Sequence, residues 1–347
     1  MNNIKKIGFS ALAGSLAMVS ANAVDYTMSG GLISTYSVAD NTNNVVADTG
    51  RGFGVATDLG FTASGEMDNG YTVTMFMSVD TNAALTNTSS QLTVGMGSMG
   101  TLQLNNIAGS KANGIDDITP NAYNEVWDGL TGSAVINNPS FFGGNTASGS
   151  LDYRIPTQSY EGMTINASVT YDPNAGVGGA AKGGVVSSGE RSGVAYTLQL
   201  DHESGFGVGG GYESVDSNNQ SAGSHGIGST TGYVKYATGG LSVAYQESYQ
   251  DSAANNNATA GVADKESVIY SIAYTSGDMT VSYGEAEIDT NAIGATAALT
   301  TVELNSIQAA YTMGAMTISA AISQTDNEAG VAAQEYTENQ LAVSFAF

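Results

Sequence analysis

From Val24 onward the chain repeats one pattern. Apolar and polar residues alternate over about ten positions, and then a glycine-bearing turn or a polar loop intervenes. A period of two sends successive side chains to opposite faces of an extended strand. Met163-Thr164-Ile165-Asn166-Ala167-Ser168-Val169-Thr170-Tyr171 is the cleanest case. Tyr71–Met75, Val194–Leu200, Met279–Tyr283 and Met316–Ser323 repeat it. No amphipathic helix of useful length interrupts the series. The chain therefore needs a fold that offers each strand one apolar and one polar environment.

The punctuation falls into two kinds. Tight turns stand at Asp68-Asn69-Gly70, Ser98-Met99-Gly100, Ser204-Gly205, Gly239-Gly240, Ser276-Gly277-Asp278 and Met313-Gly314-Ala315, with a longer one at Thr157 to Gly162. Glycine supplies the positive φ that two-residue hairpin turns require. Between them lie longer loops rich in Asn, Asp, Ala, Gly and Ser, such as Asp216–Gly228, Asp251–Asp264, Asp289–Thr301 and Asp326–Tyr336. The count is sixteen strands with seven short turns on one side and eight long loops on the other. An even strand number with short turns at one end and long loops at the other describes an antiparallel transmembrane β-barrel of a bacterial outer membrane.

Composition chooses between a membrane barrel and a soluble sandwich. Of 347 residues, 41% are hydrophobic but only 12% are charged, and the formal charge is −23. A typical soluble domain carries about 25% charged residues. Here the polar face is Thr, Ser, Asn, Gln and Gly, which suits a water-filled lumen, and the apolar face of Met, Val, Ile, Leu and Tyr suits lipid. Tyr36, Tyr71, Tyr171, Tyr212, Tyr245, Tyr274, Tyr283 and Tyr311 fall at or near strand ends, where they would form aromatic girdles. Charges on the strands are rare and mostly on the polar parity, as with Arg154 and Lys235. Val302–Met313 breaks parity near Ser306, which predicts a bulge. A mean hydropathy of −0.06 follows from alternating faces, and no stretch reaches the ~18 apolar residues of a spanning helix. The acid excess argues against nucleic acid as a partner.

Residues 1–23 read as an export signal. Lys5 and Lys6 precede an apolar core, Ile7 to Val19, and Ala21-Asn22-Ala23 forms an A-x-A cleavage site. Its removal leaves residues 24–347 with 7 bases against 32 acids, a charge of −25. No cysteine is present, so the fold closes without disulfides.

The last strand runs Leu341-Ala342-Val343-Ser344-Phe345-Ala346-Phe347, alternating up to a terminal aromatic. Signal peptide, strand count and this ending together resemble a Gram-negative general porin. The resemblance implies an all-β, 16-stranded barrel, a homotrimer in the cell outer membrane in contact with its lipid, and a long third loop folded into the pore. It also implies that Phe345 and Phe347 belong to the signal read by the barrel-assembly machinery. The spacing from Met99 to Tyr160 is 61 residues where other short turns lie about 30–45 apart, and the surplus sits at 106–148. The family's loop motif resembles Tyr-Asp followed by Pro-Glu-Phe-Gly-Gly-Asp-Thr. This chain has Tyr123-Asn124-Glu125 and then Pro139-Ser140-Phe141-Phe142-Gly143-Gly144-Asn145-Thr146. Ser140 and Asn145 stand where the family often has acids, so part of the usual loop charge is missing.

By the same resemblance, loop acids face wall bases across the constriction. Asp116, Asp117, Glu125 and Asp128 are the candidate acids, and Arg154, Lys235 and Arg51 the candidate bases. Opposed charges of this kind set up a transverse field that orders water and disfavours apolar solutes. Trp127, the only tryptophan, is expected to pack the loop against the wall. Enzyme chemistry finds little support. The two histidines, His202 and His225, lie at opposite barrel ends, and neither has a partner motif for a nucleophile or a zinc site. No cofactor is expected, with calcium on the acidic loops left open. The expected function is passive diffusion of small hydrophilic solutes and ions with cation preference. A substrate-selective channel with a binding site at the constriction and a non-conducting surface adhesin or structural barrel are the alternatives.

Overall fold

The computed structural model describes residues 24–42, 49–80, 86–128, 130, 139–144, 146, 148–175, 192–216, 226–251, 263–292 and 300–347. The segment 1–23, and most of the loops expected at Asp216–Gly228, Asp251–Asp264 and Asp289–Thr301, lie outside these residues. The strands are β1 (Asp25–Thr42), β2 (Gly50–Glu66), β3 (Thr72–Asp80), β4 (Thr86–Gly95), β5 (Thr101–Asn106), β6 (Ser150–Arg154), β7 (Gln158–Tyr160), β8 (Met163–Asp172) and β9 (Gly193–His202). They continue as β10 (Phe206–Val215), β11 (Ile227–Thr238), β12 (Leu241–Asp251), β13 (Ala263–Ser276), β14 (Met279–Ala292), β15 (Val302–Met313), β16 (Met316–Asp326) and β17 (Glu335–Ala346).

Neighbours in sequence pair antiparallel, and β17 pairs back onto β1 from Gly31↔Ala346 to Thr42↔Glu335, which closes the barrel. Closure leaves no sheet edge with unpaired backbone groups, the condition for a sheet to cross lipid. β6 and β7 both pair with β8 and make one wall strand, so the barrel has sixteen. Pro156 stands in the gap between them. It has no N–H to donate to the ladder, while Ile155 N–H still reaches the Ala167 carbonyl at 3.1 Å.

All seven expected short turns are present, joining β2–β3, β4–β5, β7–β8, β9–β10, β11–β12, β13–β14 and β15–β16. The turn expected over Thr157 to Gly162 is tighter than that. β7 extends to Tyr160, and only Glu161 and Gly162, with φ of 47° and 79°, make the reversal. Positive φ at both positions is the hairpin geometry that matches strand twist.

The outer face carries exposed Phe53, Val55, Tyr196, Tyr212, Ile272, Ile307 and Leu341. Cross-strand pairs place aromatics in two bands. Phe206↔Tyr236 and Met279↔Tyr311 lie near the short turns, whereas Tyr212↔Tyr196 lies toward the long loops. The opposite parity holds Gln103, Thr197, Thr231, Gln246, Ser271, Ser282, Gln308 and Gln340, all buried.

Two sequence expectations change here. β15 keeps its register with both neighbours through Ser306, so there is no bulge. The polarity switch is real but has another cause: Val302 and Leu304 face inward and are covered by an apolar cluster described below. Among the described ladders, β3–β4 shifts register, between Ser78 and Val79. Strand charges are also less confined to the polar parity than expected. Glu247, Glu285, Glu287 and Glu303 project from the outer face, and Tyr245 donates its hydroxyl to Glu247 at 3.2 Å. Glu303 sits at the long-loop end of β15, where a polar headgroup layer accepts charge at little cost, whereas Glu285 lies near the middle of β14.

Candidate functional site

An irregular chain segment carries backbone N–H and C=O groups that need partners wherever water is excluded. The long connection between β5 and β6 finds them on the polar, inward-facing side chains of the wall. Its root is closed by Gly149 N–H to Asn105 O (2.9 Å) and Ile107 N–H to Ser148 Oγ (2.9 Å). Further along, Gln246 on β12 binds the backbone on both sides. Its Oε1 accepts from Ile118 N–H (3.0 Å), and its Nε2 donates to the carbonyls of Ile115 (3.0 Å) and Asp116 (3.2 Å). Ser271 on β13 donates to Pro120 O (2.6 Å), and Ser282 on β14 accepts from Ala122 N–H (2.9 Å). Gln308 on β15 repeats the arrangement of Gln246: its Oε1 accepts from Tyr123 and Asn124 N–H, and its Nε2 donates to Asn124 O (2.6 Å).

Two apolar clusters anchor the connection. In one, Val126, Trp127 and Leu130 pack against Ile269, Ala286, Val302, Leu304 and Tyr336 of β13, β14, β15 and β17. In the other, Ala112, Ile115 and Phe142 pack against Ala195 and Tyr233 of β9 and β11. Glycines in the wall make room for both. A Cβ on Gly284 would lie 2.5 Å from Val126 Cγ2, and one on Gly211 would lie 2.3 Å from Phe142 Cζ. Gly143, at φ 75°, lies where the connection crosses itself, and a Cβ there would lie 2.6 Å from the Ala112 carbonyl. The motif residues thus have distinct tasks. Pro139 O accepts from Ser267, Phe141 O from Gln250 Nε2 (3.2 Å), Phe142 fills the Gly211 slot, and Gly143 permits the crossing, whereas Gly144 is exposed. Lys265 stands over the Phe141 ring at 5.1 Å.

The predicted bases separate into three environments. Arg154 lies on the inner face, with Nε on Asp152 Oδ2 (2.7 Å) and Nη2 on Gly109 O (2.9 Å), so it ties the root of the connection to the wall. Asp152 is fully buried, and its oxygens also accept from Thr170 (2.8 Å) and Lys111 N–H (3.2 Å). Lys235 is inward-facing too and pairs with Asp201 at 2.9 Å, in a cavity that Ile118 and Pro120 of the connection also line. Arg51 is not with them: it pairs across from Val38, on the parity of exposed Phe53 and Val55, and so lies on the outer face. β2 begins at Gly50, which puts Arg51 in the strand and lets parity decide its side.

The four predicted acids are brought together. Desolvation, and after it the charges of Asp128, Asp117 and Asp116, push the Glu125 carboxyl up to about 8. Burial raises Asp117 and Asp128 as well, although two hydrogen bonds from Thr119 partly offset the shift at Asp117. Like charges sharing a poorly hydrated site cannot all ionise at the ordinary carboxylate pH. Among the described residues no three His, Cys, Asp or Glu side chains are grouped to hold a metal ion. His202 lies exposed at the β9–β10 turn with Nδ1 2.8 Å from Ser204, and His225 falls outside the described residues.

Several working residues escaped the sequence reading. Gln246 and Gln308 look like any polar lumen position, Gly211 and Gly284 like any strand glycine, and Lys111 like a loop charge. The inward Val302 and Leu304 were visible, as the parity break.

A closed sixteen-strand barrel with an apolar exterior, a polar interior and one connection bonded to that interior defines the class of transmembrane barrel proteins. Residues 9–302 match the model of the Gram-negative porins, and the chain belongs to that family of outer-membrane channels. No curated protein matches the chain. Among solved structures it is similar to an anion-selective porin from Comamonas acidovorans, with a TM-score of 0.70 at 11% identity over 94% of this chain and 100% of that one. A porin refined at 1.8 Å matches with a TM-score of 0.63 at 16% identity, over 93% and 100%. The trimer form of OmpT, an outer membrane protein of Vibrio cholerae, matches with a TM-score of 0.58 at 12% identity, over 94% and 100%.

Proposed function

We propose that the chain forms a water-filled channel for passive diffusion of small hydrophilic solutes and ions, with the 106–148 connection as its constriction and a preference for cations. The observation that carries this reading is the course of the connection. Its backbone is bonded to inward-facing side chains from β12 to β15, so the bonded length occupies lumen cross-section. A loop held in this way sets the narrowest part of a barrel wide enough to hold water.

Cation preference rests on the chain's own charge, 7 bases against 32 acids after residue 23, and on the four carboxylates gathered along the connection. The anion-selective relative has the same fold, so the fold alone does not set the sign. Charges at the narrow point do. Arg154, on β6 and so on a different stretch of wall from β12–β15, supplies the positive side of a transverse field in this reading, whereas Lys235 stands on β11 beside β12 and pairs with Asp201.

The remaining assignments belong to the same reading. Residues 1–23 direct export and are removed, so the mature chain begins at Val24. The assembly is a homotrimer, in line with the trimer form of the Vibrio relative. Phe345 and Phe347 serve as the assembly signal, at the end of the strand that also closes the barrel. The test is conductance of the purified protein in planar bilayers under a salt gradient. Step-like conductance with a cation-favouring reversal potential is expected. An anion-favouring potential overturns the preference, and absence of conductance overturns the channel.

A further inference from the structure

The protein is strongly acidic, yet one lumen-side cavity is lined by two bases. It measures about 360 Å³ and lies at the short-turn end of β5, β6, β8 and β9. Thr101, Lys111, Arg154, Asn166, Thr197 and Gln199 contribute its polar lining. The carboxylate close by, Asp152, is fully buried with both oxygens occupied, by Thr170 on one and by Arg154 and Lys111 N–H on the other. It neutralises one of the two cations and leaves a net positive cavity. The Lys111 side chain is exposed, and among the described residues its ammonium has no ion-pair or hydrogen-bond partner. Arg154 is fixed through Nε and Nη2, which leaves its remaining N–H groups to donate elsewhere. Asn166 accepts from Thr157 at 2.7 Å through its carbonyl oxygen, so its amide protons add further donors. A pocket of donors with a fixed guanidinium and an exposed ammonium recognises an anion whose charge is spread over oxygens.

We infer that this cavity is a binding station for small oxyanions, carboxylate- or phosphate-bearing solutes, held between the Lys111 ammonium and the Arg154 guanidinium. The inference rests on the channel reading above and deepens it: a pore that favours cations overall retains one path-side stop for anionic nutrients. None of the acids Asp116, Asp117, Glu125 and Asp128 lines this cavity.

The probe is inorganic phosphate, followed in two ways on the full protein. Calorimetry in detergent at low ionic strength reads binding without any need for conduction. Single-channel current in bilayers reads saturable interference by phosphate. Saturable binding is expected in both, with Lys111→Gln raising the half-saturating concentration about tenfold, the size expected for one charge-assisted contact, and Lys111→Arg restoring it. Arg154 also holds the connection in place, so Lys111 is the cleaner position to change. Wild-type protein that conducts but shows no saturable phosphate signal overturns the station and leaves the channel standing. Equal affinity in wild type and Lys111→Gln also overturns it. Binding in detergent without conduction would leave the station and remove the channel.

Discussion

At the root of the long connection Asp152 is fully buried, and yet each of its oxygens is bonded, to Arg154, Thr170 or the Lys111 N–H. At its middle Glu125 is only partly buried, and desolvation and three other carboxylates all push it the same way, to about 8. Burial alone therefore does not decide how a charge behaves here. What decides is whether hydrogen-bond donors and an opposite charge replace the lost water. The root is a clasp of opposite charges, and the middle is a cluster of like ones. The apolar anchor beside the cluster, Val126 with Trp127, is part of the cause, because it holds the acids where water is scarce.

Trp127→Ala gives the largest expected effect and breaks the comparison from the acidic side. Loss of a buried indole costs about 3–5 kcal/mol, enough to free the middle of the connection. Thermal unfolding in detergent falls, single-channel conductance rises, and the Glu125 titration returns toward the ordinary carboxylate range. Unchanged conductance would mean that Trp127 does not hold the connection.

Asp152→Asn attacks the clasp. It strands the Arg154 guanidinium beside a neutral amide, at about 3 kcal/mol by analogy with other broken buried pairs. Protease cleavage within 107–149 is the readout and should quicken. Cleavage at the wild-type rate would show that the clasp does not restrain the root.

The pH dependence sharpens the comparison. Glu125 is an acid with a raised pKa, so its neutral form is the one favoured in the folded protein. Docking of the middle of the connection is therefore firmest below pH about 4.5 and weakens as pH climbs toward about 8, above which no further loss accrues from this group. Over the same range the pore gains negative charge, so cation preference rises between pH 7 and 9. Glu125→Gln should flatten that rise in reversal-potential measurements. A variant that keeps the full pH response would place the titrating group elsewhere.

Lys235→Gln is the smallest expected change. Its pair with Asp201 joins side chains exposed by 36% and 40%, and such pairs contribute about 0.2–1 kcal/mol. A shift in thermal midpoint beyond a few degrees would show that this pair does more than an exposed one should.

Much of the architecture was legible in residue order because alternation reports a local property, the side to which each side chain points. Met163–Tyr171, the seven turns and the Phe347 ending needed no distant information. The surplus length at 106–148 and the Pro139 to Gly144 motif were legible as well. The course of that connection was not. Gln246 and Gln308 differ from other polar lumen residues only in lying, after closure, beside backbone 130 and 184 residues away in sequence. Arg51 was misplaced because a strand end sets its parity, and a shift of one residue reverses the face.

The sequence by itself determined a closed barrel with an apolar exterior, a polar interior and a negative balance of charge, because each of these is a sum over local choices. Tertiary structure alone decided which charges meet. It joined Asp152 to Arg154 and Lys111, stacked Glu125 among its fellow acids, turned Arg51 outward, and fitted Phe142 and Val126 over Gly211 and Gly284. Electrostatic energy and packing both depend on distance in space, and that distance is set only when β17 meets β1 and the connection lies down on the wall.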